Sequence, residues 1–269
     1  MKYYKNKNIY ITGGTSGIGL EMSKQLLKSG ANVVVFGRKN LSEIESKLSE
    51  STNENSVAAI SLDTTSVDSV IEGFSKAQSI VGDPHVVIHS AGIGRSVAFN
   101  QFSEDDFKET INVNIFGSRN VAEVAFPYLK KTNGQLLFIA SLAGIVTNYG
   151  YSAYSASKFA TLGFAGVLRS EWKPEGVNVS VACPPEIDTP LVEKERLESP
   201  KVAKVLKQFA GNLELDYACK MMLKGLSKKS YMIIPGFKAK LVAITQGIFP
   251  SMNIWISDLV IRVIMKKNK

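Results

Sequence analysis

The feature that most constrains the fold is a strand–turn–helix–strand unit at the start of the chain. Residues 8–12 read as a short buried strand, and the glycine-rich segment Gly13-Gly14-Thr15-Ser16-Gly17-Ile18-Gly19 follows. A helical pattern covers 20–28, and a second apolar strand covers 32–36. Two strands joined through a helix form a βαβ unit, and such units build parallel sheets. The pattern therefore predicts an α/β fold with a parallel sheet.

The same unit predicts a phosphate-binding turn. Glycines permit the tight turn and let the backbone approach a pyrophosphate at the helix N-terminus. The spacing of Gly13, Gly17 and Gly19 differs from the commoner Gly-x-Gly-x-x-Gly pattern. An ordinary glycine-rich turn is the alternative, but the βαβ context favours a dinucleotide.

The residues after the second strand predict which dinucleotide binds. An acidic residue there would hold a ribose 2′-hydroxyl, whereas an arginine suits a 2′-phosphate. The chain has Gly37-Arg38-Lys39 and no acid at this point. We therefore expect NADPH/NADP+ to be preferred. The alternative is that Arg38 is a solvated surface residue.

Composition limits the classes of function. A chain of 269 residues with 45% hydrophobic residues can form one large α/β domain. Its two cysteines, Cys183 and Cys219, argue against a disulfide scaffold and fit a reducing compartment. The net charge of +8 favours anionic partners such as a phosphorylated cofactor or an anionic membrane. Only that charge supports nucleic-acid binding, which we do not expect. The polar N-terminus lacks the apolar core of a signal peptide, so a cytoplasmic location is expected.

The middle of the chain continues the alternation of strands and helices. A strand over 56–62 ends at Asp63, whose carboxylate could accept a hydrogen bond from an adenine amino group. A strand over 86–89 precedes Ser90-Ala91-Gly92, whose small side chains leave room for a ribose. Helical patterns cover 67–81 and run from 104 to about 130. Asn112 and Asn114 lie within the second of these, and the local pattern does not decide which one has a special role.

Candidate catalytic residues follow in the next strand and helix. Tyr154 and Lys158 are four residues apart, which on a helix places both side chains on one face. A nearby ammonium lowers the pKa of a phenol, so Tyr154 could act as an acid or base near neutral pH. Ser141 follows the apolar run 136–140, and a hydroxyl at a strand end can hydrogen-bond a substrate carbonyl. Taken alone, the Tyr–Lys pair could also be an ordinary exposed helical pair.

In this order and spacing, the motifs resemble the short-chain dehydrogenase/reductase family over residues 8–235. The motifs are Thr12-Gly13-(x)3-Gly17-Ile18-Gly19, Ser90-Ala91-Gly92, Asn112-Val113-Asn114, Ser141 and Tyr154-(x)3-Lys158. The resemblance implies a Rossmann-type doubly wound parallel sheet of about seven strands, a homodimer or homotetramer, and no metal.

The resemblance also assigns roles. Tyr154 would donate a proton to the substrate carbonyl, Ser141 would polarise that carbonyl, and Lys158 would bind the nicotinamide ribose. Asn114, by its distance before Ser141, would support a water relay to Lys158. Tyr151 is the rival phenol, but it lies seven residues before Lys158. The expected cofactor-binding residues are Gly13, Thr15, Ser16, Gly17, Ile18, Gly19, Arg38, Lys39, Asp63, Ser90, Ala91, Gly92, Tyr154, Lys158, Pro184, Ile187 and Thr189.

Two departures from the family pattern stand out: the first concerns ribose packing, and the second refines the expected substrate. Ser90 stands where the family usually has asparagine, and Pro184-Pro185 stands in place of Pro-Gly. The double proline, followed by Asp-Thr-Pro, is similar to the branch that reduces 3-ketodihydrosphingosine. We expect NADPH-dependent reduction of a ketone on a lipid-like substrate, either that compound or another long-chain 3-keto compound. The alternatives are a 3-oxoacyl-carrier-protein reductase, a steroid-type dehydrogenase, and a non-catalytic NADP-binding sensor. Intact Ser141, Tyr154 and Lys158 argue against the sensor.

The C-terminal third is expected to add a lid and an extension to the catalytic domain. The domain covers 1–236, with a helical substrate lid over about 190–212, and residues 237–269 form an apolar, interrupted extension. Residues 254–265 read as an amphipathic helix followed by lysines. Its apolar face is Ile256, Leu259, Val260 and Val263, opposite Asp258 and Arg262. Such a helix suits peripheral attachment to the cytosolic face of a membrane. Packing on the core or across a dimer is the equal alternative.

Overall fold

The sheet is parallel and doubly wound. The structure is a computed structural model that describes residues 2–52, 55–189, 192 and 199–266. Within these ranges a seven-stranded sheet has the order β3-β2-β1-β4-β5-β6-β9. Its strands are β1 (Asn8–Thr12), β2 (Asn32–Gly37), β3 (Val57–Ser61), β4 (Val86–His89), β5 (Gln135–Ile139), β6 (Asn178–Ala182) and β9 (Met232–Ile233). A separate pair joins β7 (Glu186–Ile187) to β8 (Asn212–Leu213). The predicted fold class is confirmed.

The helices connect these strands in the predicted alternation. They are α1 (Gly17–Leu27), α2 (Leu41–Ser49), α3 (Val67–Val81), α4 (Glu104–Ile111), α5 (Gly117–Thr132), α6 (Ser152–Trp172), α7 (Lys201–Ala210), α8 (Leu215–Ser227), α9 (Phe237–Ile248) and α10 (Pro250–Lys266). The predicted helix from 104 to about 130 is interrupted, because a π-helical turn at Asn112–Phe116 separates α4 from α5.

Both faces of the sheet are buried, which explains why the strands read as continuous apolar runs. Side chains alternate along β1, so Tyr10 faces one layer while Ile9 and Ile11 face the other. Tyr10 packs edge-on against Phe36 and Phe74. Two hydrophobic cores, one on each face, therefore hold the sheet.

The strand order places the turns that carry the motifs at one edge. β1 pairs with β2 on one side and with β4 on the other, so the chain changes direction in the sheet between β1 and β4. In doubly wound sheets ligands bind at the carboxyl ends of the strands beside this switch point. Thr12 and His89 are paired at that end, directly before the glycine-rich turn and Ser90.

The C-terminal extension forms two helices that turn back on the domain. α9 and α10 are bent by 116° at their junction. Among the described residues no single helix has the length and apolar character to span a membrane. The two helices of this bent pair have that length and apolar character only when taken together. Of the expected lid helix, α7 is described, and 190–191 and 193–198 lie outside the described residues.

One expectation about α10 needs correction. Ile256 and Val260 are half-buried, whereas Leu259 and Val263 are 45% and 48% exposed. The four residues of the expected apolar face therefore do not share one environment. Ile256 and Val260 pack against the protein, whereas Leu259 and Val263 face solvent, because the buried side of α10 is rotated away from them.

Candidate active site

The turn between β1 and α1 leaves no room for a side chain at Gly13 or at Gly19. Gly13 has a φ of +68°, and a Cβ there would lie 2.6 Å from the Ala91 nitrogen. A Cβ on Gly19 would lie 2.3 Å from the Gly13 oxygen. The turn therefore packs closely against the segment after β4 and ends at the N-terminus of α1. This close backbone cradle fits the pyrophosphate of a dinucleotide.

The end of β2 presents a cation that fits a 2′-phosphate. The Arg38 side chain is 66% exposed, and its Nη1 lies 3.7 Å from Oδ2 of Asp63. Asp63 accepts hydrogen bonds from the Thr65 amide and hydroxyl. The hydrogen bond from the Thr65 amide contributes most to lowering the pKa of Asp63, and Arg38 contributes less. Arg38 and the exposed Lys39 can reach a phosphate, with Asp63 as a competing anion.

Helix α6 carries the phenol and the ammonium. Lys158 is 7% exposed, its Nζ donates to the Ile139 carbonyl at 3.0 Å, and it lies 5.5 Å from the centroid of the Tyr154 ring. Burial lowers the pKa of Lys158 to about 8. The lysine therefore remains mostly charged at neutral pH and directs that charge toward Tyr154.

Ser141 lies where β5 ends and a short 3-10 turn begins. Its Oγ accepts a hydrogen bond from the Ala143 amide at 3.1 Å, which orients the hydroxyl. The hydroxyl hydrogen can then donate to a carbonyl oxygen. Because Ser141, Tyr154 and Lys158 line one cavity, the structure brings the three predicted catalytic groups together.

The π-helical turn distinguishes the two asparagines. Asn112 is exposed, whereas Asn114 is buried. The Asn114 Nδ2 donates to the Ile93 carbonyl and to Ser157 Oγ, both at 2.9 Å, and its Oδ1 accepts from the Ile93 amide. Asn114 thus links the segment after β4 to α6, one residue before Lys158.

The cavity has a volume of about 560 Å³ and reaches from the glycine-rich turn to the C-terminal helices. Not all of the predicted residues line it. Gly19 packs beneath the turn, Asn114 lies behind Gly92, and Thr15 packs against Gly37 at the end of β2. Arg38, Lys39 and Asp63 lie beyond it at the ends of β2 and β3. The predicted residues that line it are Gly13, Ser16, Gly17, Ile18, Ser90, Ala91, Gly92, Ser141, Tyr154, Lys158, Pro184, Ile187 and Thr189.

The part of the far wall of this cavity that comes from the C-terminal extension was not predicted from the sequence, whereas the α7 part lies within the expected lid over about 190–212. That wall is formed by α7, α9 and α10 through Leu206, Phe209, Leu241, Val242, Thr245, Met252, Asn253, Ile256 and Ser257. Helical spacing was the one signal in the sequence that these wall residues share a face. It relates Leu241 to Thr245 on α9, and Asn253 to Ile256 and Ser257 on α10. Glu186 and Lys207 were also missed, since nothing in the local pattern relates two residues that lie on different elements.

Comparison with known proteins identifies the family. The model of the short chain dehydrogenase family matches residues 7–200. The 3-dehydrosphinganine reductases TSC10A and TSC10B of Arabidopsis thaliana are 32% and 30% identical to this chain. The alignments cover 95% and 94% of this chain and 79% and 77% of those proteins. A short chain dehydrogenase from Burkholderia cenocepacia J2315, solved in complex with NADP, superimposes with a TM-score of 0.76 at 23% identity, covering 93% of this chain and 96% of its own. With this match and the Ser141, Tyr154 and Lys158 arrangement, the chain belongs to the short-chain dehydrogenase family of oxidoreductases.

Proposed function

We propose that this enzyme uses NADPH to reduce the ketone of a long-chain 3-keto lipid, 3-ketodihydrosphingosine or a close analogue. One observation carries the proposal. The cavity that holds the hydroxyls of Ser141 and Tyr154 continues into a largely apolar wall from α7, α9 and α10. A cavity with hydroxyl groups at one end and apolar side chains along the rest matches a lipid whose ketone lies near the head of a long chain.

The residues support the reduction in complementary ways. The carbonyl carbon would accept a hydride from NADPH when that cofactor is bound against the glycine-rich turn and Lys158. Ser141 donates a hydrogen bond to the carbonyl oxygen, and Tyr154 donates the proton that completes the alcohol. The Lys158 ammonium stabilises the tyrosinate that remains, and this stabilisation is stronger in a buried site than in water.

The preference for NADPH is supported by the charge at the end of β2. Arg38 is exposed where the adenosine ribose of a bound dinucleotide would lie, and Lys39 adds a second cation. Guanidinium groups bind phosphate through charge-assisted hydrogen bonds. The substrate assignment is supported by the relatives, which are named as reductases of 3-dehydrosphinganine.

The exposed surface of the C-terminal helices supports attachment to a membrane. On α9 the exposed apolar side chains are Phe237, Leu241, Ile244 and Ile248. On α10 they include Met252, Trp255, Leu259 and Val263, which form a line that we call the α10 stripe. These residues recur every three or four positions, so each set forms one continuous apolar face.

We further propose that this surface binds peripherally to the cytosolic face of an anionic membrane. A tryptophan, an apolar face and a basic end are typical of interfacial helices, and the net charge of +8 acts in the same direction. Leu241 and Met252 belong both to the exposed faces and to the cavity wall. A lipid chain could therefore enter the cavity from the bilayer without crossing water.

The proposed chemistry is tested by substituting each of the two neighbouring phenols. We expect Tyr154→Phe to lower kcat for NADPH oxidation with 3-ketodihydrosphingosine by about 10²–10⁴-fold, because the proton donor is lost. NADPH affinity should change only a few fold, since the phenol acts in the transition state. Tyr151→Phe, which removes the rival hydroxyl, should retain more than about a tenth of kcat, a loss below the range for an acid–base group.

The assay is run with and without liposomes. If Tyr154→Phe keeps more than about a tenth of wild-type kcat, the phenol is not the acid that the proposal requires. If wild-type enzyme reduces no long-chain 3-ketone, the substrate class is wrong.

A further inference from the structure

An ion pair with little exposed surface lies in the cavity beside the proposed reaction site. Glu186, at the start of β7, and Lys207, on α7, both line the cavity, and Nζ of Lys207 lies 2.8 Å from Oε2 of Glu186. The two side chains are 13% and 15% exposed. Every other ion pair recorded between described residues has a side chain that is 48% exposed or more. This pair is therefore unusual for the molecule.

Stability alone is a weak reason to place two charges in such a cavity. Removing a carboxylate and an ammonium from water is costly, and their attraction often does no more than offset that cost. Among the described residues that line the cavity, Lys158 carries the one other charge. The Glu186 carboxylate is thus the negative group that a bound molecule would meet there.

Two connections tie the ion pair to the groups that contact the ketone. The Leu142 amide, which follows Ser141, donates to the carbonyl of Pro184 at 2.8 Å, two residues before Glu186. On the other side, Nζ of Lys207 lies 5.0 Å from the centroid of the Tyr151 ring. That ring lies 5.3 Å from the ring of Tyr154. The pair is thus linked to Ser141 through the backbone and to Tyr154 through the Tyr151 ring.

The chemistry of the proposed substrate complements this arrangement. In 3-ketodihydrosphingosine the carbon next to the ketone carries an ammonium, and the following carbon carries a hydroxyl. Resting on the function proposed above, we propose that Glu186 binds this ammonium and so selects 2-amino-3-keto lipids. Lys207 pairs with the carboxylate before the lipid binds, and it can donate to the lipid hydroxyl afterwards.

This assignment separates amino ketones from other long-chain ketones. A 3-oxoacyl thioester or a steroid ketone has no cation to exchange with Lys207 at Glu186. An ammonium instead forms a charge-assisted hydrogen bond in a partly desolvated site, which is among the stronger polar contacts. A site built around such a contact favours the molecule that makes it over the analogue that lacks it.

The test compares two ketones that differ in one group. The full-length enzyme is assayed for NADPH oxidation with 3-ketodihydrosphingosine and with the same hydroxyketone carrying hydrogen in place of the amino group. We expect wild type to favour the amino ketone by at least about tenfold in kcat/KM. Glu186→Gln should lower kcat/KM for the amino ketone by about 10- to 100-fold and change that for the desamino ketone less than about threefold.

Glu186→Asp, which keeps the charge, should preserve the preference. Glu43→Gln, which removes a carboxylate from an exposed ion pair on α2, should leave both values unchanged.

Several results would overturn the inference. Equal losses on both ketones would mean that the pair only fastens α7 to β7. If wild type turns over the two ketones equally, it has no preference for the amine, and the inference fails even when Glu186→Gln does not fold. The proposed reductase function would still stand. Turnover of neither ketone would refute the proposed function itself, and the inference with it.

Discussion

At the scale of single residues, burial decides which basic groups near the phenol carry a charge. Lys158 and His89 are both buried in the protein interior. Burial lowers the pKa of Lys158 to about 8 and that of His89 to about 3. His89 is therefore neutral at physiological pH and shares a 2.7 Å hydrogen bond with Thr12 Oγ1. Of the two, Lys158 supplies positive charge to Tyr154, and His89 serves the packing of β1 against β4.

A residue-scale prediction concerns Arg38. Losing a charge-assisted contact to phosphate costs about 1.5–3 kcal/mol, so Arg38→Ala should weaken NADPH binding about 10- to 100-fold. NADH affinity should not change, because that cofactor lacks the phosphate. The measurement is cofactor titration by fluorescence. Arg119→Ala, which removes an exposed arginine on α5, is the matched control. Equal affinity of wild type for the two cofactors would refute the role given to Arg38.

At the scale of elements, the turns at the strand ends matter more than the strands themselves. The β1–α1 turn is closed so tightly that backbone from Gly13 meets both Ala91 and Gly19. The π-helical turn at Asn112–Phe116 adds a residue to one helical turn, which is a common device at functional sites. There it turns Asn114 inward toward Ile93 and Ser157, while Asn112 faces solvent.

The closeness of the β1–α1 turn predicts opposite effects for two glycine-to-alanine changes. Gly19→Ala places a methyl group against rigid backbone, so it should lower stability by about 1–3 kcal/mol and weaken NADPH binding. Gly163→Ala is the control, because it lies in α6 with no atom within 4 Å of the added Cβ. It should raise stability by about 0.5–1 kcal/mol. Thermal unfolding and NADPH titration measure both effects. If Gly19→Ala unfolds at the wild-type temperature and binds NADPH as wild type does, the turn can open to admit the methyl group.

At the scale of the whole molecule, the C-terminal extension helps to line the candidate active-site cavity. α9 and α10 pack against each other and against α7, and all three line the cavity. The helices therefore have two distinct sides. One side lines the candidate substrate cavity, and the other exposes apolar residues to solvent.

These two sides can be separated by mutation. Trp255→Ser with Leu259→Ser removes two exposed residues of the α10 stripe and should weaken binding to anionic liposomes at least about tenfold, given the apolar burial lost. Turnover of a short soluble ketone should not change. Ile256→Ser, on the cavity side, should instead raise KM for long-chain ketones and keep liposome binding. Added salt should weaken attachment, since each basic residue near the surface contributes about 1 kcal/mol.

Cosedimentation and gel filtration distinguish the outcomes. If the stripe variant binds liposomes as wild type does but changes its oligomeric state, the stripe is a subunit interface. The expected homodimer or homotetramer stays a prediction until that measurement.

The sequence by itself determined the parallel fold, the glycine-rich turn, the position of Arg38 after β2, and the pairing of Tyr154 with Lys158. These features are local, because helical and strand periodicity and turn chemistry depend on residues that are close in the chain. The local pattern left Asn112 and Asn114 open, and the family resemblance favoured Asn114, which tertiary structure buries. Tertiary structure alone decided that Lys207 meets Glu186 and that α10 closes the cavity. Each of these depends on packing between separate elements, and no local pattern records which distant side chains will share a buried space.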